Sequence, residues 1–251
     1  MSDAPPESRK LVEVPMRALT VRPGTKDSLA IDDLPEPPES DGPVLVESLA
    51  VGLCGTDVEI IAADYGEAPP GADVLVLGHE NLGKVASAPT GSDLTPGDLV
   101  VGIVRRPDPQ PCPACARGEW DMCRNGQYTE HGIKGLHGFA RERWRAQPDA
   151  VVKVDPKLGD VGVLLEPTTI VAKGWEQIER IGSRAFFDPK VVAVTGLVPS
   201  VCLPRCWAFN ADLRCMSSTG SPLASSPTSW RTSAPRTTRR RYPVAAYDRT
   251  S

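Results

Sequence analysis

The spacing of apolar and polar positions changes once along the first two hundred residues. From Met16 to about Ala88 the chain reads as short strands punctuated by turns. The run Val44 to Val51 is rich in β-formers and lies between the breakers Asp41-Gly42-Pro43 and Gly52. A second apolar run, Val74 to Leu77, stops at Gly78. Thr95-Pro96-Gly97-Asp98 is a turn signal that leads directly into the apolar run Leu99 to Val104. Many short strands joined by Gly/Pro turns predict a small, irregular β-barrel or sandwich. Near residue 166 the period lengthens. Ile170, Val171, Trp175, Ile178 and Ile181 share one face of a predicted helix, with Pro167 in its first turn. Lys190 then leads into Val191-Val192-Ala193-Val194-Thr195-Gly196, which reads as the first strand of a parallel α/β unit. The expected class is therefore α+β, mainly β: a β-rich domain followed by the opening of an α/β domain.

A chain of 251 residues is long enough to bury a proper core. Its longest apolar stretch, around Val191 to Leu203, is broken by Gly and Pro and falls short of the roughly 18 residues a membrane span needs. The N-terminal MSDAPPESRK lacks the apolar centre of a secretory signal, so a cytoplasmic location without membrane attachment is expected. Charge divides the chain in two. Residues 202–251 hold eight Arg, no Lys, two Asp and no Glu, a net charge of +6. Residues 1–201 hold 20 basic and 30 acidic residues, a net charge of −10. That acidic balance suits a solvated, salt-adapted surface and argues against nucleic acid as the main partner.

Chemistry gathers at three places. Cys54-Gly55-Thr56-Asp57 follows a strand in a Gly-bounded turn, and His79-Glu80 follows another strand. One Cys and one His alone fit a small core thiol and a satisfied imidazole equally well. With Glu80 and Glu166 they make the thiolate, imidazole and carboxylate mixture of catalytic zinc, which keeps one position open. Next, Cys112, Cys115 and Cys123 fall within twelve positions. In a chain read as cytoplasmic this spacing points to metal rather than disulfides, with reduced thiols in a loop as the plainer alternative. A tetrahedral structural zinc wants four ligands, and Asp108 is the nearest candidate for the fourth. The third place is Gly196, where a dinucleotide fingerprint should begin; Val198 and Val201 stand at the offsets that need glycine.

Six ordered blocks carry a resemblance to the zinc-dependent medium-chain dehydrogenases, above all their archaeal-type glucose dehydrogenase branch. They are VGLCGTDVEI (51–60), LGHENLGKV (77–85), PGDLVVGIVRRP (96–107), CPACARGEWDMC (112–123), YTEHGIKGLHGFARE (128–142) and LLEPTTIVAKGWEQI (164–178). The resemblance implies a GroES-like catalytic domain over 16–165, preceded by a tail over 1–15. It also implies only the linking helix and first strand of a Rossmann domain over 166–196. Hydride would pass from a sugar or alcohol to NAD(P)+. By position, Cys54 and His79 would ligate catalytic zinc with Glu80 or Glu166, and Thr56 would bond the reacting hydroxyl and start its proton relay. Glu130 falls at a sugar-binding carboxylate, and Glu166 borders the same substrate. Cys112, Cys115 and Cys123 match three of four structural-zinc ligands. Asp108 fits the fourth only with one residue inserted nearby. Family members form homo-oligomers through the Rossmann domain, so their oligomeric state does not carry over.

Beyond Gly196 the resemblance ends. Residues 202–251 contain fourteen Ser/Thr, eight Arg, five Pro and three Cys, with no Lys, Glu or Ile. This is the composition of a GC-rich gene read out of frame, and a frameshift close to codon 197 is the expectation. The segment 197–251 would then be an aberrant, disordered tail, Gly196 a remnant of the cofactor site, and the chain an inactive, truncated dehydrogenase. The alternative is a zinc-binding module whose basic tail, with Arg239-Arg240-Arg241, contacts RNA or an acidic partner.

Overall fold

The computed structural model describes residues 15–194 and 214–217. In chain order the strands are β1 (Met16–Val21), β2 (Ala30–Leu34), β3 (Val44–Gly52), β4 (Leu75–Val76), β5 (Glu80–Ser87), β6 (Leu99–Gly102) and β7 (Arg105–Arg106). They continue with β8 (Thr129–His131), β9 (Gly135–Leu136), β10 (Arg143–Ala146), β11 (Val151–Lys153), β12 (Val191–Val194) and β13 (Arg214–Ser217). Helix α1 (Gly55–Ile61) follows β3, and α2 (Leu165–Gly182) follows β11. The largest sheet has the order β10-β3-β5-β6-β11, and a second has the order β2-β1-β4. The pairing of β3 with β5 shifts register between Leu45 and Val46 and again between Ser48 and Ala50. Such bulges bend the strands, which curls the sheet into a partial barrel with few helices, the mainly β architecture predicted.

The core forms where alternate residues of the large sheet turn inward. Val44, Val46, Val85, Val100, Phe139 and Trp144 make one buried cluster. Trp144 is fully buried and meets Phe139 edge-on at 4.8 Å between ring centroids. Glycine makes room for these rings: a Cβ at Gly102 would stand 2.8 Å from Phe139 and 3.2 Å from Trp144. The buried Asn81 side chain clips β5 to β6, accepting from the Gly102 N–H (2.7 Å) and donating to the Gly102 carbonyl (3.0 Å) and the His79 carbonyl (3.2 Å). That clip anchors the backbone at His79, the residue on which the site turns.

The helix over α2 forms as its period predicts, but its apolar stripe is mostly uncovered. Trp175 is buried, whereas Ile170, Ile178 and Ile181 are exposed. Periodicity reports which residues share a face; burial requires a partner, and none among the described residues covers this one. One short element falls within 197–251, the segment read from the sequence as an aberrant, disordered tail. Among the described residues, Arg214–Ser217 forms β13 and pairs in parallel with β12. Main-chain pairing along a strand edge requires no apolar alternation, which is why the pattern did not reveal it. Gly196, the Arg239–Arg241 run and the N-terminal tail through residue 14 lie outside the described residues.

A buried histidine, His131, and a half-buried one, His137, brace the loops around the site. His131 donates through Nδ1 to the His137 carbonyl (2.6 Å), and His137 Nδ1 accepts from the Val76 N–H (3.2 Å). Burial holds His131 down to about 3 and His137 down to about 4. In the unfolded chain each takes up a proton near pH ~6.5. Below that value the unfolded chain binds protons that the folded chain refuses, so stability present above it is lost as pH falls towards the folded values. For His131 the slope approaches about 1.4 kcal/mol per pH unit. His137 adds less because solvent screens it. Thermal unfolding followed from pH 7 to 4 should show this decline, and His131→Asn, which keeps the bond to the carbonyl, should flatten it. An equal decline in both proteins would contradict the assignment.

Candidate metal and substrate site

The site begins at the junction of β3 and α1. Cys54 caps α1: its N–H donates to Asp57 Oδ2 (2.8 Å), while its thiol receives the Asp57 N–H. This reciprocal pair is the capping box, here with sulfur in the place of a hydroxyl. It fixes Cys54 Sγ 3.1 Å from His79 Nε2. His79 is delivered from the other side, because Gly78, between β4 and β5, has a φ of +85° that turns the chain sharply. The imidazole is buried and its Nδ1 has no hydrogen-bond partner. Asp57 Oδ1 stands 3.7 Å from that nitrogen, a small ring rotation short of a bond, and also accepts from the Gly78 N–H (3.4 Å).

Two carboxylates complete the cluster. The ligand atoms of His79, Glu80 and Glu166 all lie within 4.8 Å of one another, as do those of Cys54, Asp57 and His79. Glu80 opens β5 opposite Gly52, and only glycine there leaves room for its carboxylate: a Cβ would collide with Oε2. Glu166 reaches in from the first turn of α2. Burial raises both carboxyls above their ordinary values, and raises the Cys54 thiol against hydrogen bonds from Thr56 and Asp57. Neither Glu80 nor Glu166 forms an ion pair with Lys or Arg among the described residues. A thiol, an imidazole and two carboxyls packed at this spacing fit a divalent, zinc-like cation, which would reverse the cost of ionising them.

The sequence had named Cys54, His79, Glu80 and Glu166; the fold sets Cys54 beside His79 on one side and Glu80 and Glu166 beside it on the other. Thr56 lies beside them, hydrogen bonded to the Cys54 sulfur. Asp57 was missed as a member, although its place three residues after the capping Cys54 was the available signal. Cys112, Cys115 and Cys123 also converge, with Cys112 Sγ 3.7 Å from Cys115 Sγ. Backbone N–H groups of Cys115 and Arg124 pull the Cys112 thiol down, while burial pushes Cys115 up. Asp108 is buried and its Oδ2 lies 3.9 Å from Cys123 Sγ, with Oδ1 held by the Gln110 N–H (2.7 Å). It thus adjoins one corner of the thiol triad. Glu130, on β8, is largely buried and paired with Arg105; its charge helps to raise the Glu166 carboxyl. Burial, with the charge of Glu130, raises the hydroxyl of the half-exposed Tyr65 above its ordinary value. Among the described residues no helix is long and apolar enough to cross a membrane.

A curled β domain with Cys54, Glu80 and Glu166 gathered around His79 resembles the zinc-dependent medium-chain dehydrogenases. Residues 40–156 match the Alcohol dehydrogenase GroES-like domain. Within that class the chain resembles archaeal glucose dehydrogenase. It is 45% identical over 187 residues to glucose 1-dehydrogenase of Methanocella arvoryzae, covering 73% of this chain and 52% of that protein. It is 46% identical over 186 residues to the Thermoproteus tenax glucose 1-dehydrogenase, with the same coverage. The glucose dehydrogenase of Haloferax mediterranei, solved in complex with NADP, Zn and gluconolactone, superposes with a TM-score of 0.72 at 32% identity. That match covers 80% of this chain and 57% of the solved one. The chain spans about half the length of the curated relatives it matches.

Proposed function

We propose that this chain forms the metal- and substrate-binding half of a zinc-dependent dehydrogenase for the hydroxyl of a glucose-like sugar or an alcohol, with NAD(P)+ as the enzyme's hydride acceptor. The meeting of two donor groups at His79, Cys54 with Asp57 and Glu80 with Glu166, carries the reading. When bound among them, zinc would supply Lewis acidity towards a substrate oxygen. Asp57, through the geometry it imposes on Cys54 and His79, would orient two of the ligands. Thr56 would take the hydroxyl proton and pass it towards solvent as the first member of a general-base chain. Glu130 would accept from a second sugar hydroxyl, and the exposed ring of Tyr65 offers an apolar face beside it. Cys112, Cys115 and Cys123, with Asp108 at one corner, would hold a second, structural zinc.

The dinucleotide does not fit the chain in the same way. The sequence holds Val198 and Val201 at the fingerprint positions where a dinucleotide site needs glycine for close approach to pyrophosphate and for helix packing. The residues of this chain therefore reach binding, orientation and movement of a proton, and the chain by itself is inactive in hydride transfer. Ligand-observed NMR with D-glucose, and a fluorescence titration with NADP+, test both halves of the reading. Zinc-loaded protein should bind the sugar and lose it when Glu130 is changed to Gln, while NADP+ gives no saturable signal. Saturable micromolar NADP+ binding would overturn the second half. Glucose binding indifferent to Glu130→Gln would overturn the first.

A further inference from the structure

The three-cysteine lobe is a loop and the carboxylate Glu130 lies on β8, yet one side chain touches both. Arg105 lies on β7 directly opposite Glu130 on β8. Its Nε and Nη2 both donate to Glu130 Oε1, at 3.0 and 2.8 Å, which leaves Oε2 for a hydroxyl. Its remaining terminal nitrogen, Nη1, donates to the Trp120 carbonyl at 2.9 Å. The guanidinium also lies over the Tyr128 ring, 4.0 Å from its centroid. The planar fork is thus engaged on three sides, a task that the single ammonium of lysine cannot perform.

Trp120 sits in a short 3-10 turn, Trp120–Met122, inside the loop that runs from Cys115 to Cys123. The position of its carbonyl therefore depends on whether those cysteines are drawn together. The lobe's other ties, Asp121 to Lys173 (3.2 Å) and Glu119 to Arg180 (3.3 Å), are solvent-exposed ion pairs on α2 and are weak constraints. We infer that Arg105 is a positioning residue that couples the cysteine lobe to substrate binding. Metal in the lobe fixes the Trp120 carbonyl, the carbonyl fixes the guanidinium, and the guanidinium holds Glu130 with Oε2 presented to the sugar. This rests on the reading of Glu130 as the sugar-binding carboxylate and gives the lobe a part in substrate affinity beyond holding the fold.

The test is a double-mutant cycle on the full zinc-loaded chain with D-glucose as the probe, read by saturation-transfer NMR. Cys115→Ser, which opens the lobe, should weaken glucose binding about tenfold, the effect of loosening one charge-assisted hydrogen bond. Arg105→Lys keeps the ion pair with Glu130 but releases Trp120, so adding Cys115→Ser to it should change the affinity by less than about twofold. Equal losses in the two backgrounds, or no loss from Cys115→Ser in the parent chain, would overturn the coupling. A chain that binds no glucose, or binds it equally well as Glu130→Gln, would instead overturn the reading of the site on which the coupling rests. The Arg105 Nε–H resonance gives a second readout independent of sugar. It should move in Cys115→Ser and stay in place in Cys54→Ser; a resonance unmoved in Cys115→Ser would also overturn the coupling.

Discussion

His79→Ala should empty the Cys54 site while leaving the three-cysteine lobe loaded. His79 belongs to both donor groups, the one with Cys54 and Asp57 and the one with Glu80 and Glu166, so no other single change removes as much. Losing a residue that merely orients a ligand costs about 10–100-fold in metal affinity, and losing the ligand costs more. Zinc affinity at this site should therefore fall by more than about 100-fold. Asp57→Asn should fall inside that range, because Asn retains the space but weakens the grip on the Cys54 N–H and the field at His79 Nδ1. Competition against a chromophoric chelator measures both. Two sites of unchanged affinity in His79→Ala would show that the cluster is not a metal site.

Trp144→Ala should be the most damaging change to the fold. The side chain is fully buried, packs edge-on against Phe139, and fills space that Gly83 and Gly102 leave open. Its Nε1 has no hydrogen-bond partner, so the loss is one of packing and of the cavity that remains. Such truncations cost about 3–5 kcal/mol. Domains of this kind have only about 5–15 kcal/mol to lose. Urea unfolding followed by circular dichroism should show a midpoint displaced accordingly or no cooperative transition at all. A shift below about 1 kcal/mol would mean that the β10–β3–β5 face is not the centre of the core.

Much of this architecture was legible because its signals are local. Gly52 ends β3 and Gly78 lies just before β5, so Cys54 and His79 are presented at the same end of the β3–β5 pair. The helix over α2 and the grouping of Cys112, Cys115 and Cys123 were likewise written in short-range spacing. What escaped depends on pairing between distant segments. Asp57 approaches His79 only because Gly78 turns the chain back, and Arg105 meets Glu130 only through the register of β7 with β8. Asp108 was expected as a fourth ligand from its nearness in sequence, yet it stands against Cys123 alone among the thiols. The stripe of Ile170, Ile178 and Ile181 shows the same limit from the other side, since amphipathicity marks a face and not its partner.

A cobalt(II) titration of the purified chain, followed at the thiolate-to-metal charge-transfer band, tests the zinc assignment most directly. Two saturating phases are expected, one from the single thiolate of Cys54 and one roughly three times as intense from the lobe cysteines, scaling with the thiolates each site supplies. Cys54→Ser should abolish the weaker phase only, and Cys115→Ser should reduce the stronger. A chain that shows no saturable band, or one whose weaker phase survives Cys54→Ser, would contradict the reading of this domain as the zinc-binding half of a dehydrogenase.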